Sequence, residues 1–130
     1  MENIQVPVSP GEVLDKITIL EIKSERMDDP QKVANVRVEL KLLQETWAKA
    51  IADDDVIEGL HGQLKEINEA LWEIEDDIRD KERAKEFDER FIELARAVYF
   101  TNDRRSEVKK KLNLHLGSQI VEEKSYQDYA

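Results

Sequence analysis

The sequence predicts an all-α fold, an antiparallel bundle of about four helices with coiled-coil-like seams and an irregular C-terminal tail. Three observations carry that prediction. Apolar residues recur at alternating steps of three and four along most of the chain, the period of a helix face packed on a neighbour. Ser9-Pro10, Asp29-Pro30 and Asp53-Asp54-Asp55 supply capping side chains and first-turn prolines at intervals that cut the chain into helical lengths. Charged residues make up 38 % of the chain and are interspersed with the apolar positions, as on solvated helix faces.

The 130 residues suit a single helical domain over 1–130, with an extended N-terminal arm at 1–8 and a C-terminal tail at 117–130. Ile4, Val6 and Val8 alternate with polar residues or Pro7, so the arm reads as extended chain laid along the bundle. Ser9, Pro10 and Glu12 form a capping box with a first-turn proline, and Val8 and Val13 flank it at staple spacing. The first helix runs from Pro10 to Met27. Its apolar residues, Val13, Leu14, Ile17, Ile19, Leu20 and Ile22, cover more than one side, so it meets two or more neighbours. Asp15, Thr18 and Glu21 are interleaved with them and read as solvated flanking groups.

Asp29 caps the second helix, whose seam is Val33, Val36, Leu40, Leu43, Trp47 and Ala50; the short break before it makes the first two helices antiparallel neighbours. The aspartates at 53–55 cap the third helix, and they lack the spacing of a calcium loop. Ile57, Leu60, Leu64, Ile67, Leu71, Ile74 and Ile78 form its seam, with Gly59 and Gly62 weakening the first turns or admitting a close backbone approach. From Asp80 to Glu86 that seam fails, and it restarts out of phase at Phe87, Phe91, Leu94 and Val98. This predicts a break with Asp88 as cap, against the alternative of one continuous helix. The last helix runs to about Leu114 before Gly117, unless Thr101-Asn102-Asp103 ends and restarts it. Ile120, Val121 and Tyr126 are the residues available to anchor the tail.

The composition excludes several functions. With no cysteine there is no disulfide, thiolate nucleophile or zinc–thiolate site. A net charge of −10 repels phosphate backbones and anionic lipid, so neither nucleic acid nor membrane is an expected partner. No apolar run approaches the roughly 20 residues of a membrane span, and M-E-N-I-Q-V-P-V has no signal-peptide character, so the expected location is cytoplasmic. His61 and His115 are isolated, and no metal or cofactor is expected. Glu66/Glu69 and Glu73/Asp76 make ExxE and ExxD runs, but on one solvated helix face that cannot enclose a metal.

One stretch breaks the pattern. Leu94 and Val98 set a spacing that resumes at Val108 and Leu112, and between them the inward positions fall on Thr101, Asn102 and Arg105. Polar groups turned toward a core need partners. Arg96, Tyr99, Asn102, Asp103, Arg105 and Lys109 therefore form the candidate ligand-binding set, in which guanidinium forks suit phosphate or carboxylate and Tyr and Asn orient it. The competing reading is an internal network in which Arg105 pairs with Asp15 or Glu21.

P-G-E-V-L-D-K-I-T-I-L-E-I-K at Pro10–Lys23, F-I-E-L-A-R-A-V-Y-F-T-N-D-R-R at Phe91–Arg105 and G-S-Q-I-V-E-E-K-S-Y at Gly117–Tyr126 resemble a small family of uncharacterised bacterial proteins. The resemblance implies a stand-alone helical domain and brings no catalytic residues. The expected function is thus a non-enzymatic helical interaction module. It would self-associate, as a homodimer, through the second and third seams, or bind another protein. The alternative is a small-anion binding protein or enzyme built on the Arg/Tyr/Asn cluster.

Overall fold

The computed structural model describes residues 1–129. It contains α1 (Pro10–Arg26), α2 (Pro30–Ala50), α3 (Asp55–Ala84) and α4 (Glu89–His115), with no strand among the described residues. None of these helices is long and apolar enough to cross a membrane.

Each boundary has a local cause. Ser9 Oγ accepts the Glu12 N–H at 3.2 Å, with Pro10 in the first turn where its missing N–H costs nothing. Asp29 Oδ1 accepts the N–H groups of Gln31 and Lys32, and Asp54 Oδ1 accepts that of Ile57 at 2.8 Å. The Trp47 indole donates to Asp53 at 2.8 Å, which ties the α2–α3 loop back onto α2. The break between α3 and α4 is made without glycine or proline. Lys85 adopts a left-handed conformation at φ 57°, and the N–H groups of Lys85 and Glu86 close on the carbonyls of Glu82 and Lys81. That conformation costs a non-glycine residue about 1–2 kcal/mol; the Lys81 ammonium, bonded to Glu86 at 3.0 Å and Asp88 at 2.9 Å, helps hold the turn. Asp88 caps α4 through the Phe91 N–H at 3.0 Å. α4 then passes through Thr101-Asn102-Asp103 without ending and restarting.

α1 is the central element, since it alone lies against the other three helices; α2 lies against α1, and α3 and α4 against each other. The core joins Leu14 and Ile17 of α1, Trp47 of α2, Ile57, Leu60, Leu64 and Ile67 of α3, and Val108 and Leu112 of α4. This three-sided enclosure corrects the expectation that Asp15 and Thr18 flank the core in water. They are 1 % and 0 % exposed, because the side of α1 on which they lie meets Asn68 of α3 and Arg105 of α4.

Helix lengths are unequal. α1 has 17 residues and α3 has 30. Arg26 at the end of α1 reaches Glu73 of α3 at 3.5 Å, and past that level the α3–α4 hairpin continues by itself, joined by pairs such as Arg90–Asp77 at 3.9 Å. The α3 seam is accordingly buried at Ile57, Leu60, Leu64 and Ile67 and only half-buried at Leu71, Ile74 and Ile78.

Other expectations change. Ile4 and Val6 are exposed, so the arm does not lie along the bundle. A Cβ at Gly59 or Gly62 would meet open space, so neither marks a close approach. Of the three expected anchors, Ile120 and Tyr126 are exposed and Val121 is half-buried. The tail turns back along α4 on ion pairs: Glu122–Lys109 at 3.2 Å, Glu123–Lys110 at 3.2 Å and Lys124–Asp103. The Tyr129 ring closes it against Tyr99 and Phe100 at 5.5 and 4.8 Å.

The one glycine with a packing role is Gly11, where a Cβ would sit 2.7 Å from the Lys109 carbonyl and 2.9 Å from Asn113 Oδ1. Backbone atoms cannot yield as a side chain can, so Gly11→Ala is expected to separate α1 from α4 and lower stability by about 1–3 kcal/mol. Urea unfolding measures this; a neutral substitution would show that the contact is slack.

Candidate functional site

The polar residues of α4 are positioned by the seam around them. Leu94, Val108 and Leu112 face the interior, which turns Thr101 into the core and leaves Asn102 and Arg105 half-buried at its edge. Arg105 extends to α1, where its Nε donates to Asp15 Oδ1 at 2.8 Å and its Nη2 donates to Asp15 Oδ2. Its Nη1 lies 3.4 Å from Asn102 Oδ1. Asp15 is also bonded from α3, since Asn68 Nδ2 donates to Asp15 Oδ1 and to Thr18 Oγ1, each at 2.9 Å. The Thr18 hydroxyl in turn donates to the Asp15 carbonyl at 2.7 Å. One buried carboxylate therefore joins α1, α3 and α4. The hydrogen bonds that Arg105 donates to Asp15 raise its pKa further, outweighing the effect of burial.

This network forms one wall of an open cleft of about 500 Å³ between α1, α3 and α4. Ile19 and Ile22 give it an apolar side, Trp72 and Asp76 line it from α3, and Asn102 and Arg105 line it from α4. The size falls in the range of small-molecule sites. Of the Arg105 nitrogens, however, two are engaged by Asp15, which leaves little of the fork for an anion.

The six candidate residues are thus distributed over three places. Asn102 and Arg105 stand together at the cleft. Lys109, one turn further on, donates to Glu12 at 2.7 Å and to Glu122 at 3.2 Å, beneath the tail. Burial lowers the Lys109 pKa, but the hydrogen bonds to those carboxylates reverse the effect and the net shift is upward; Glu122 is correspondingly lowered. Arg96, Tyr99 and Asp103 lie on the outer side. The Arg96 guanidinium sits 5.6 Å over the Phe100 ring. Lys124 holds the Asp103 carboxyl below its usual range, and hydrogen bonding to Asp103 raises the Tyr129 pKa to about 12.

Asn68 and Asn113 were not among the candidates. Each follows a seam residue, Ile67 and Leu112, and an amide beside a seam was the available signal. Among the described residues no group of three His, Cys, Asp or Glu side chains is arranged to hold a metal ion.

Removing Arg105 strands a buried carboxylate. Arg105→Ala is expected to cost about 3–5 kcal/mol, and Asp15→Ala/Arg105→Ala less than the sum of the single variants, as read by a double-mutant cycle in urea. Additive losses would show that the pair is not coupled.

A second expectation concerns pH. His61 Nε2 lies 2.8 Å from Glu21 Oε1, and that hydrogen bond raises its pKa above 6.5 in spite of burial. A raised folded-state value means the pair stabilises fully below pH 6.5 and loses its contribution as pH rises through the folded value. NMR titration is expected to place the His61 midpoint above 6.5, with Glu21→Gln bringing it down. An identical midpoint in that variant would exclude Glu21 as the cause.

No curated protein and no solved structure matches the chain. A family model does, over residues 4–129, nearly the whole length. The chain therefore belongs to DUF6165, a family of unknown function.

Proposed function

We propose that the protein is a non-enzymatic helical interaction module that pairs with a second copy of itself through the projecting α3–α4 hairpin. The observation that carries this reading is the uneven burial of the α3 seam, closed through Ile67 and half-open from Leu71 to Ile78. An apolar seam continues there past the helix that covers it. Across the hairpin Leu94 is buried, Phe91 and Val98 are half-buried, and Phe87 and Ile92 are 56 % and 55 % exposed. Phe87 and Phe91 stack edge to face at 5.1 Å, forming a stiff apolar tip. Exposed apolar side chains at the tip of a projecting hairpin suit an interaction site.

A second copy suits the surface because the hairpin carries both signs of charge, with Arg79, Arg83 and Arg90 among Asp76, Asp77, Asp80 and Glu93. A two-fold pairing can set one sign against the other on the partner. In the α2 seam Val36 and Trp47 are buried within the chain, and Val33, Leu40 and Leu43 are half-buried.

The reading predicts a species of twice the 15.2 kDa chain mass by light scattering. Phe87→Ser/Ile92→Ser, at exposed positions, is expected to give a folded monomer. A wild-type monomer at roughly millimolar concentration, where even about 4 kcal/mol of interface would show, sinks the reading.

A further inference from the structure

The C-terminal tail closes a second cleft, of about 390 Å³, against the last turns of α4. Ser106, Lys109, Lys110 and Asn113 line it from the helix, at a spacing that sets them on one face. Glu122 and Glu123 line it from the tail.

Asn113 is the informative residue. It is 2 % exposed, and the Gly11 backbone N–H lies 2.7 Å from its Oδ1. The Gly11 group can only donate, so the amide cannot be flipped: Oδ1 must face Gly11, and Nδ2 is left as a donor. Among the described residues Nδ2 has no hydrogen-bond partner, yet no wholly enclosed side-chain nitrogen or oxygen is unpaired. Nδ2 therefore keeps some exposure, and Asn113 lines the cleft. An almost buried donor in that position calls for an acceptor.

Lys109 adds to the same demand. Its side chain is 12 % exposed, and of its three N–H donors two are met by Glu12 and Glu122. Glu12 belongs to the first turn of α1 and is fixed there. Glu122 comes from a segment without regular structure, and its own side chain is 62 % exposed. Glu123–Lys110 is an exposed ion pair of a kind contributing little, and Glu122 meets the part-buried Lys109 from its solvent side. Tyr129, packed on Tyr99 and Phe100, keeps the far end tethered when this segment lifts.

We propose that this cleft is an oxyanion site, for the phosphate or carboxylate group of a small molecule, which the Glu122 carboxylate fills from within until a ligand displaces it. The donors are Lys109 Nζ, Asn113 Nδ2, Lys110 Nζ and the Ser106 hydroxyl. The site is independent of the pairing surface, which lies at the other end of α4.

The test titrates the full chain with inorganic phosphate and, separately, with citrate, against sodium chloride of matched ionic strength, following the Asn113 side-chain amide by NMR. Saturable shifts are expected in the wild type. Glu122→Gln, which removes the internal competitor's charge, is expected to tighten binding by about fivefold. Lys110→Gln, at a position whose side chain is 46 % exposed and whose loss leaves the core intact, is expected to weaken it by a similar factor. Tighter binding of phosphate or of citrate decides which oxyanion the site takes, and either supports the proposal. Absence of a saturable shift in Glu122→Gln with both probes overturns it. So does a shift that sodium chloride reproduces, or one that neither substitution alters.

Discussion

The fold turns on one buried carboxylate. Asp15 sits inside α1 with no access to water, and its two oxygens are met by the Arg105 fork of α4 and the Asn68 amide of α3. The pair itself adds little net stability, because desolvating both charges offsets most of their attraction. Its effect is on register. Sliding α1 by a turn against α3 or α4 would bury the carboxylate without donors, at a cost of several kcal/mol. Apolar seams repeat every few residues and tolerate such a slip far better. The alignment of the three helices is thereby tied to a single residue.

That alignment decides where α1 stops. With Asp15 level with Asn68 and Arg105, the 17 residues of α1 end beside Glu69 and Glu73, and the 30 residues of α3 continue without it. The bundle is a four-helix body at one end and a two-helix projection at the other. The apolar residues of the projection are left half-buried or exposed. The open cleft beside Trp72 lies at the step between the two regions.

At the opposite end of α4 the same helix face is treated differently. Gly11 lets the first turn of α1 approach the α4 backbone, and Asn113 accepts the Gly11 N–H in return. The lysines there are neutralised by carboxylates from α1 and the tail, where at the register site the arginine is neutralised by α1 alone. A cation held by a rigid helix has a fixed partner, whereas a cation held by an irregular segment has an exchangeable one. This difference separates Arg105, held by α1 alone, from Lys109, held in part by the tail.

Local chemistry in the sequence determined the elements. Ser9, Asp29, Asp54 and Asp88 cap helices because their side chains reach N–H groups two or three residues away, within the chain's own reach. The seams of α3 and of the end of α4 were legible for the same reason, and so was the break before Asp88, although nothing in the residues foretold that Lys85 would take the left-handed turn. The irregularity at Thr101–Arg105 was also visible, and so was the possibility that Arg105 meets Asp15. Only the tertiary structure decided what surrounds each polar group. Asp15 and Glu21 have the same standing in a helical pattern, yet one is sealed under three helices and the other stands at the edge beside His61. The tail's course along α4 was equally out of reach, since it depends on pairing Glu122, Glu123 and Lys124 with charges on a helix whose outer face becomes defined only when the bundle closes. Periodicity states which face of a helix is apolar; how many neighbours enclose that helix, and which donors they bring, depends on residues 50 to 100 positions away.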